Sequence, residues 1–236
     1  TAFFARRVNL LAVSQTWRES MELSWCLIRQ GAPLMLSSFA ATLSTFLILA
    51  MITRELSLSS AGFYSAAFAL SGMFVGFVLT SMGADYYPRL SSTSDDQLLM
   101  GKMVNEQTEV GLLLTVPGLL LCWVLAPWLV ELFYTNTFLP ATELLQWFLL
   151  GCLGRVISWP MGFVLLALGR SKTFLFSELL VNTVHVGLVW WAVQVDSLAY
   201  TARAFCLTYV FYTLLMLWIC RRLIGLQWSS FVLRTV

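Results

Sequence analysis

Charge is what this sequence has least of: Asp, Glu, Lys and Arg make up 11% of its 236 residues, against roughly 25% in an ordinary soluble domain. A water-soluble chain of this size needs more polar groups to cover its surface, whereas a bilayer accepts outward-facing apolar side chains. Histidine occurs once, as His185, and there is no Cys-x-x-Cys spacing, which argues against a dedicated transition-metal site. The five cysteines (Cys26, Cys122, Cys152, Cys206 and Cys220) are irregularly spaced, and all but Cys26 fall in apolar runs. They read as small hydrophobes, not as a disulfide framework. A net charge of +2 without any clustered run of Lys and Arg sets nucleic acid aside. Also missing are a nucleophile motif, a phosphate-binding glycine loop ending in Lys, and paired carboxylates in an obvious cleft. No cofactor is implied, and nothing points to an enzyme.

What is there is apolar sequence, 59% of the chain. Stretches of about 20 such residues are long enough to cross a bilayer as helices. Six occur: Pro33–Thr53, Ser60–Gly83, Glu109–Trp128, Ala141–Leu168, Thr173–Gln194 and Leu198–Cys220. The alternation of a β-barrel is absent, so the expected fold is all-α, a polytopic membrane protein with six transmembrane helices. Gly72, Gly76, Pro117 and Pro160 inside the spans suit membrane helices, where neighbouring helices re-satisfy the backbone.

Positive residues are retained on the cytoplasmic side. Arg6, Arg7, Arg18, Arg29, Arg89, Lys102, Arg170, Lys172, Arg221, Arg222 and Arg234 all fall in one alternate set of connections. Arg54 and Arg203 fall in the other, and Arg155 lies inside the fourth span. Both chain ends are therefore expected in the cytoplasm. Residues 1–32 read as a cytoplasmic connection, 33–222 as the six-helix transmembrane unit, and 223–236 as a cytoplasmic tail. Within the first segment, Trp17, Met21, Trp25 and Ile28 recur at helical spacing and predict an amphipathic helix over Trp17–Gln30, lying along the membrane face. Thr1–Ala5 reads as the frayed end of a preceding membrane helix, so a C-terminal portion of something longer is expected. Asp85–Gln107 reads as the longest inner connection, returning to helix over Gln97–Asn105. Gly169–Lys172 is a tight inner turn, and Leu129–Pro140 is the longest outer connection, with Phe133, Tyr134 and Phe138 suited to an interfacial belt.

Arg155 stands near the middle of its span, where a lone guanidinium costs on the order of 3 kcal/mol. It either lines a cavity or is satisfied by backbone carbonyls, or it snorkels to an interface. Counted from the Gly169–Lys172 turn, Arg155 and His185 lie at similar depths on consecutive antiparallel helices, roughly 22 Å along each axis. Glu178, Asn182 and His185 are spaced i, i+4, i+7 and share one helix face. Two readings compete for this stripe: a water-filled path in which Glu178 or His185 exchanges protons, and interhelical hydrogen bonding that only fixes packing. Gly151, Gly154, Ser158 and Gly162 crowd one side of the fourth span and leave room beside Arg155 for a ligand or a close helix. Ser38, Thr42 and Thr45 form a polar stripe on the first span, and Gly72 and Gly76 a small-residue face on the second. Asn105, Glu106 and Glu109, opposite Arg89 and Lys102, read as solvated ion pairs.

Several segments resemble a known family. Ala61-Gly62-Phe63-Tyr64-Ser65-Ala66-Ala67, Asp85-Tyr86-Tyr87-Pro88-Arg89-Leu90-Ser91 and Val104-Asn105-Glu106-Gln107 are similar to segments of bacterial oligosaccharide flippases. Leu145-Gln146-Trp147 through Arg155, then Gly162-Phe163-Val164-Leu165-Leu166-Ala167 and Glu178-Leu179-Leu180, resemble the O-antigen and lipid III flippases of the multidrug/oligosaccharidyl-lipid/polysaccharide exporter superfamily. The resemblance covers nearly all of residues 20–225. It implies a two-lobed transporter of which this chain is the second, six-helix lobe, with an N-terminal lobe as its partner. It further implies export of an undecaprenyl-diphosphate-linked oligosaccharide across the bacterial inner membrane, contacts with membrane lipids, and work beside a polysaccharide polymerase. In that setting Arg155, His185 and Asn182 are the expected substrate-binding residues, and Glu178 and His185 the proton- or ion-coupling ones. Rival readings are a cation-coupled multidrug exporter of the same superfamily and a membrane-embedded glycosyl- or acyltransferase with His185 as its base.

Overall fold

The computed structural model describes residues 17–228. The expectations for Thr1–Ala5, for Arg6, Arg7 and Arg234, and for the tail past Trp228 lie outside the described residues. Among those described, every regular element is helical: α1 (Trp17–Glu55), α2 (Leu58–Ser92), α3 (Gln97–Val124), α4 (Ala126–Phe133), a 3₁₀ turn (Asn136–Phe138), α5 (Ala141–Ala167), α6 (Ser171–Gln194) and α7 (Leu198–Ile224). Six of these, all but α4 and the 3₁₀ turn, are long and apolar enough to cross a membrane.

Local chemistry sets where the helices start and stop. The Ser57 hydroxyl accepts the Ser60 N–H at 3.0 Å to open α2, and the Asp96 carboxylate accepts the Leu99 N–H at 3.0 Å to open α3. Each satisfies one of the N–H groups that a helix start leaves without a partner. Gly169 (φ +67°) and Gly225 (φ +63°) close α5 and α7 in the left-handed region, which glycine enters without a Cβ clash. In the α6–α7 turn that conformation falls to Asp196 (φ 55°), a residue that tolerates it better than most.

Two boundaries differ from the sequence expectation. The helix read over Trp17–Gln30 and the first span form one unbroken helix of 39 residues with Pro33 inside it. The segment Gln30-Gly31-Ala32 carries no stop signal strong enough to end a helix ahead of a long apolar run. The connection read over Asp85–Gln107 shrinks to Thr93–Asp96, because α2 runs on to Ser92 and α3 starts at Gln97. Tyr86 and Leu90 explain the extension: both are buried, and the Tyr86 hydroxyl donates to the Pro160 carbonyl at 3.2 Å. A segment whose polarity suggests a loop is held as helix by the face it packs.

Helix α5 is the centre of the bundle, packed against α7, α2 and α3, while α6 stands between α1 and α7. The α5–α7 approach is set by glycine. A Cβ on Gly151 would sit 2.5 Å from the Phe205 ring, and one on Gly154 would sit 3.0 Å from Tyr209 Cβ and 3.3 Å from its backbone. The Thr213 hydroxyl crosses the same contact to the Gly154 carbonyl at 3.1 Å. Above it, Phe148 meets Tyr64 and Phe205 edge-on at 5.1 Å, the geometry that aromatic quadrupoles favour. At the far end of the bundle Leu226 is buried and the Asn105 amide donates to the Gln227 carbonyl at 2.8 Å, which ties the residues after α7 to α3.

Candidate functional site

The four residues singled out in the sequence come together. Arg155 from α5 and Glu178, Asn182 and His185 from α6 line one cavity of about 200 Å³. Helix α1 closes it with Ser44, Thr45 and Ile48, α2 with Tyr64 and Phe68, and α7 with Phe205, Thr208, Tyr209 and Tyr212. A second cavity of about 300 Å³ adjoins it on the side of the Gly169 turn, lined by Ser158, Trp159, Gly162, Phe163, Leu166 and Phe174. Arg155, Glu178, Tyr209 and Tyr212 line both. These four side chains form the wall between the two spaces.

The wall is electrostatically unusual for a membrane interior. Arg155 sits within electrostatic reach of Glu178 and Tyr209, yet makes no ion pair within 4.0 Å among the described residues. Glu178 is held instead by Tyr212, whose hydroxyl donates to Oε1 at 2.5 Å. Arg155 thus lines both cavities while Glu178 is engaged by Tyr212. Asn182 donates to the Glu178 carbonyl one turn back at 2.8 Å, which leaves its own amide oxygen as an acceptor. His185 packs against Phe205 at 5.8 Å, and its Nε2 is buried without a hydrogen-bond partner among the described residues.

Other polar features of the sequence have structural duties. Thr42 and Thr45 return their hydroxyls to the carbonyls of Ser38 and Ala41 at 3.0 Å. Of the expected stripe on the first span only Thr45 reaches the cavity; Ser38 and Thr42 do not, and Ser44 takes part instead. Gly151 and Gly154 serve the close approach of α7, so only Ser158 and Gly162 leave space, in the second cavity. Gly72 and Gly76 meet nothing within 4 Å. Arg89 pairs with Asp85 one turn earlier on its own helix at 3.1 Å. On the opposite end of the bundle Arg203 pairs with Glu143 at 3.3 Å and lies 5.0 and 4.9 Å from the Trp147 and Tyr200 ring centroids. Tyr209 and Tyr212 were not singled out in the sequence. Their signal is an i, i+3 pair of hydroxyl-bearing rings in the middle of an apolar span.

Six membrane-length helices around an internal polar wall define a multi-pass membrane protein with a cavity inside one bundle. A family model described as polysaccharide biosynthesis protein matches residues 6–143, and the chain belongs to that family. Comparison with curated proteins and with solved structures returns no match. The matched segment contains α1 to α4 and the start of α5. Arg155, Glu178 and the tyrosines of the wall lie beyond it, so the family assigns no role to them.

Proposed function

We propose that the protein is a flippase that carries an undecaprenyl-diphosphate-linked oligosaccharide, of the O-antigen or enterobacterial-common-antigen type, across the bacterial inner membrane. The observation that carries this reading is Arg155: a permanent cation at mid-span, without an ion pair within 4.0 Å among the described residues, opening on two cavities. A diphosphate cannot enter a low-dielectric interior unpaired, and a guanidinium is the side chain best suited to hold it with paired hydrogen bonds. Membership in a polysaccharide biosynthesis family supports the substrate class. In this reading the Gly169 end faces the cytoplasm, in keeping with the Lys and Arg distribution. The six-helix unit then rocks against a second lobe, so that the cavity opens to each side in turn. Asn182 and His185 contact the headgroup, and Glu178 exchanges a proton or ion as the substrate enters and leaves.

Glu178 carries a second reading. A carboxylate in the same wall suits a cation-coupled exporter of organic cations, and binding of cationic dyes in preference to lipid diphosphates would select it. The deciding experiment is complementation of a bacterium that lacks its lipid-linked oligosaccharide flippase, with surface polysaccharide as readout. Wild type restores export, Arg155→Ala abolishes it at equal membrane abundance, and Arg155→Lys keeps part of it. Loss of export in step with loss of protein would assign Arg155 to folding instead.

A further inference from the structure

We infer that the second cavity is a saccharide subsite, in which the Trp159 ring is a stacking platform for the sugar attached to the anion that Arg155 holds. The inference rests on the flippase reading and adds to it a place for the sugar and the residue that discriminates it. Three observations carry it. The cavity measures about 300 Å³, the lower end of the range for small-molecule sites. Half of its lining residues are aromatic, namely Trp159, Phe163, Phe174, Tyr209 and Tyr212, and the polar groups of Arg155 and Glu178 stand among them. A pyranose has that same division of character: C–H groups clustered on its faces and hydroxyls around its rim. The electron-rich face of an indole attracts polarised C–H groups, and carboxylate and guanidinium satisfy the rim hydroxyls that burial would otherwise strand.

The third observation is how Trp159 is held. Its ring packs into the space that Gly83 of α2 leaves free, where a Cβ would lie 2.9 Å from Cζ2, and it is braced by Phe163 at 4.6 Å and Tyr86 at 5.9 Å. Tyr86 is itself tied to α5 through the Pro160 carbonyl. A ring fixed from behind by a glycine slot and from the side by two further rings is a rigid surface, which a ligand meets without an ordering cost. An aliphatic lining of the same volume would hold a lipid chain as well as a sugar. The rigid aromatic lining beside a charged wall distinguishes the two.

The test compares binding of three probes by the purified wild-type protein: bare polyprenyl diphosphate, its glucosyl derivative and its N-acetylglucosaminyl derivative. Wild type is expected to bind at least one sugar-bearing lipid about five-fold or more tightly than the bare lipid. Trp159→Leu is expected to erase that preference while leaving affinity for the bare lipid within about two-fold, and Trp159→Phe to keep part of it. Gly162→Ala supplies a variant that folding does not penalise, since its Cβ meets Phe174 and the Tyr212 hydroxyl at ordinary distances of 3.7 and 3.9 Å. Narrowing the cavity there is expected to lower the preference two- to three-fold. A wild type that binds all three lipids equally, or a Trp159→Leu that keeps the wild-type ratio, overturns the subsite and leaves the flippase reading standing. A wild type that binds none of them overturns both.

Discussion

Helices α5 and α6 are both long and apolar enough to cross a membrane, yet the fold treats them oppositely: 61% of the apolar stretch of α5 is buried, against 11% of that of α6. The two also divide the site, with Arg155 on the buried helix and Glu178, Asn182 and His185 on the exposed one. In a bilayer apolar composition does not decide which side chains face protein, because lipid is as apolar as a neighbouring helix. Small residues decide it. Gly151 and Gly154 let α7 come against the α5 backbone, whereas Gly187 of α6 has nothing within 4 Å. The helix that must hold a charge at mid-depth is the more buried of the two, and the helix that brings the titratable groups is the more exposed.

The strongest attempt to break this comparison is Gly151→Val, which drives a side chain into Phe205 and the Cys206 backbone. Overpacking of this kind destabilises by about 3 kcal/mol, and the expected result is a marked fall in thermal stability and in folded protein. Unchanged stability would mean that α7 is not seated on α5 as described. Next in size is Tyr212→Phe, which removes the donor to Glu178. Leaving that carboxylate without its partner is expected to destabilise by about 1–2 kcal/mol and to depress export at equal protein abundance. A double-mutant cycle with Glu178→Gln is expected to be non-additive, because the two side chains share one bond. Smaller again is Arg203→Lys. It gives up the planar stacking between Trp147 and Tyr200 but keeps a charge for Glu143, for about 0.5–1 kcal/mol in unfolding experiments. Last is Gly187→Ala on α6, expected to change stability by no more than about 0.5 kcal/mol. A large loss there would show that α6 has a partner on its exposed face.

The helices were readable from the sequence because a run of apolar residues is itself the physical requirement for spanning a bilayer. Boundaries failed where polarity and packing disagree: Asp85 to Ser92 looks like a connection, but buried Tyr86 and Leu90 keep it helical. The meeting of Arg155 with Glu178, Asn182 and His185 was legible for a geometric reason. The two helices are joined by only three residues, Leu168 to Arg170, so counting residues from that turn fixes depth, and helical spacing fixes the face. Tyr209, Tyr212 and Trp159 were not legible in the same way. Which side of α7 meets the cavity depends on how it crosses α5, and that crossing is written in Gly151 and Gly154, whose pattern alone does not distinguish a ligand from a helix. The expected amphipathic segment shows the same limit, since Trp17, Met21, Trp25 and Ile28 are exposed but their helix does not stop before the first span.

That continuity makes α1 the longest helix among the described residues. At 39 residues it is about 58 Å long, nearly twice the roughly 30 Å thickness of the hydrocarbon layer. Its buried positions, Pro33, Ser37, Ser44, Ile48 and Ile52, span about 30 Å of that length, so the packed part alone matches the hydrocarbon layer and residues 17–32 extend past it. That extension adds about 24 Å, so a tilt of about 10° at Pro33 would move the Trp17 end by only about 4 Å.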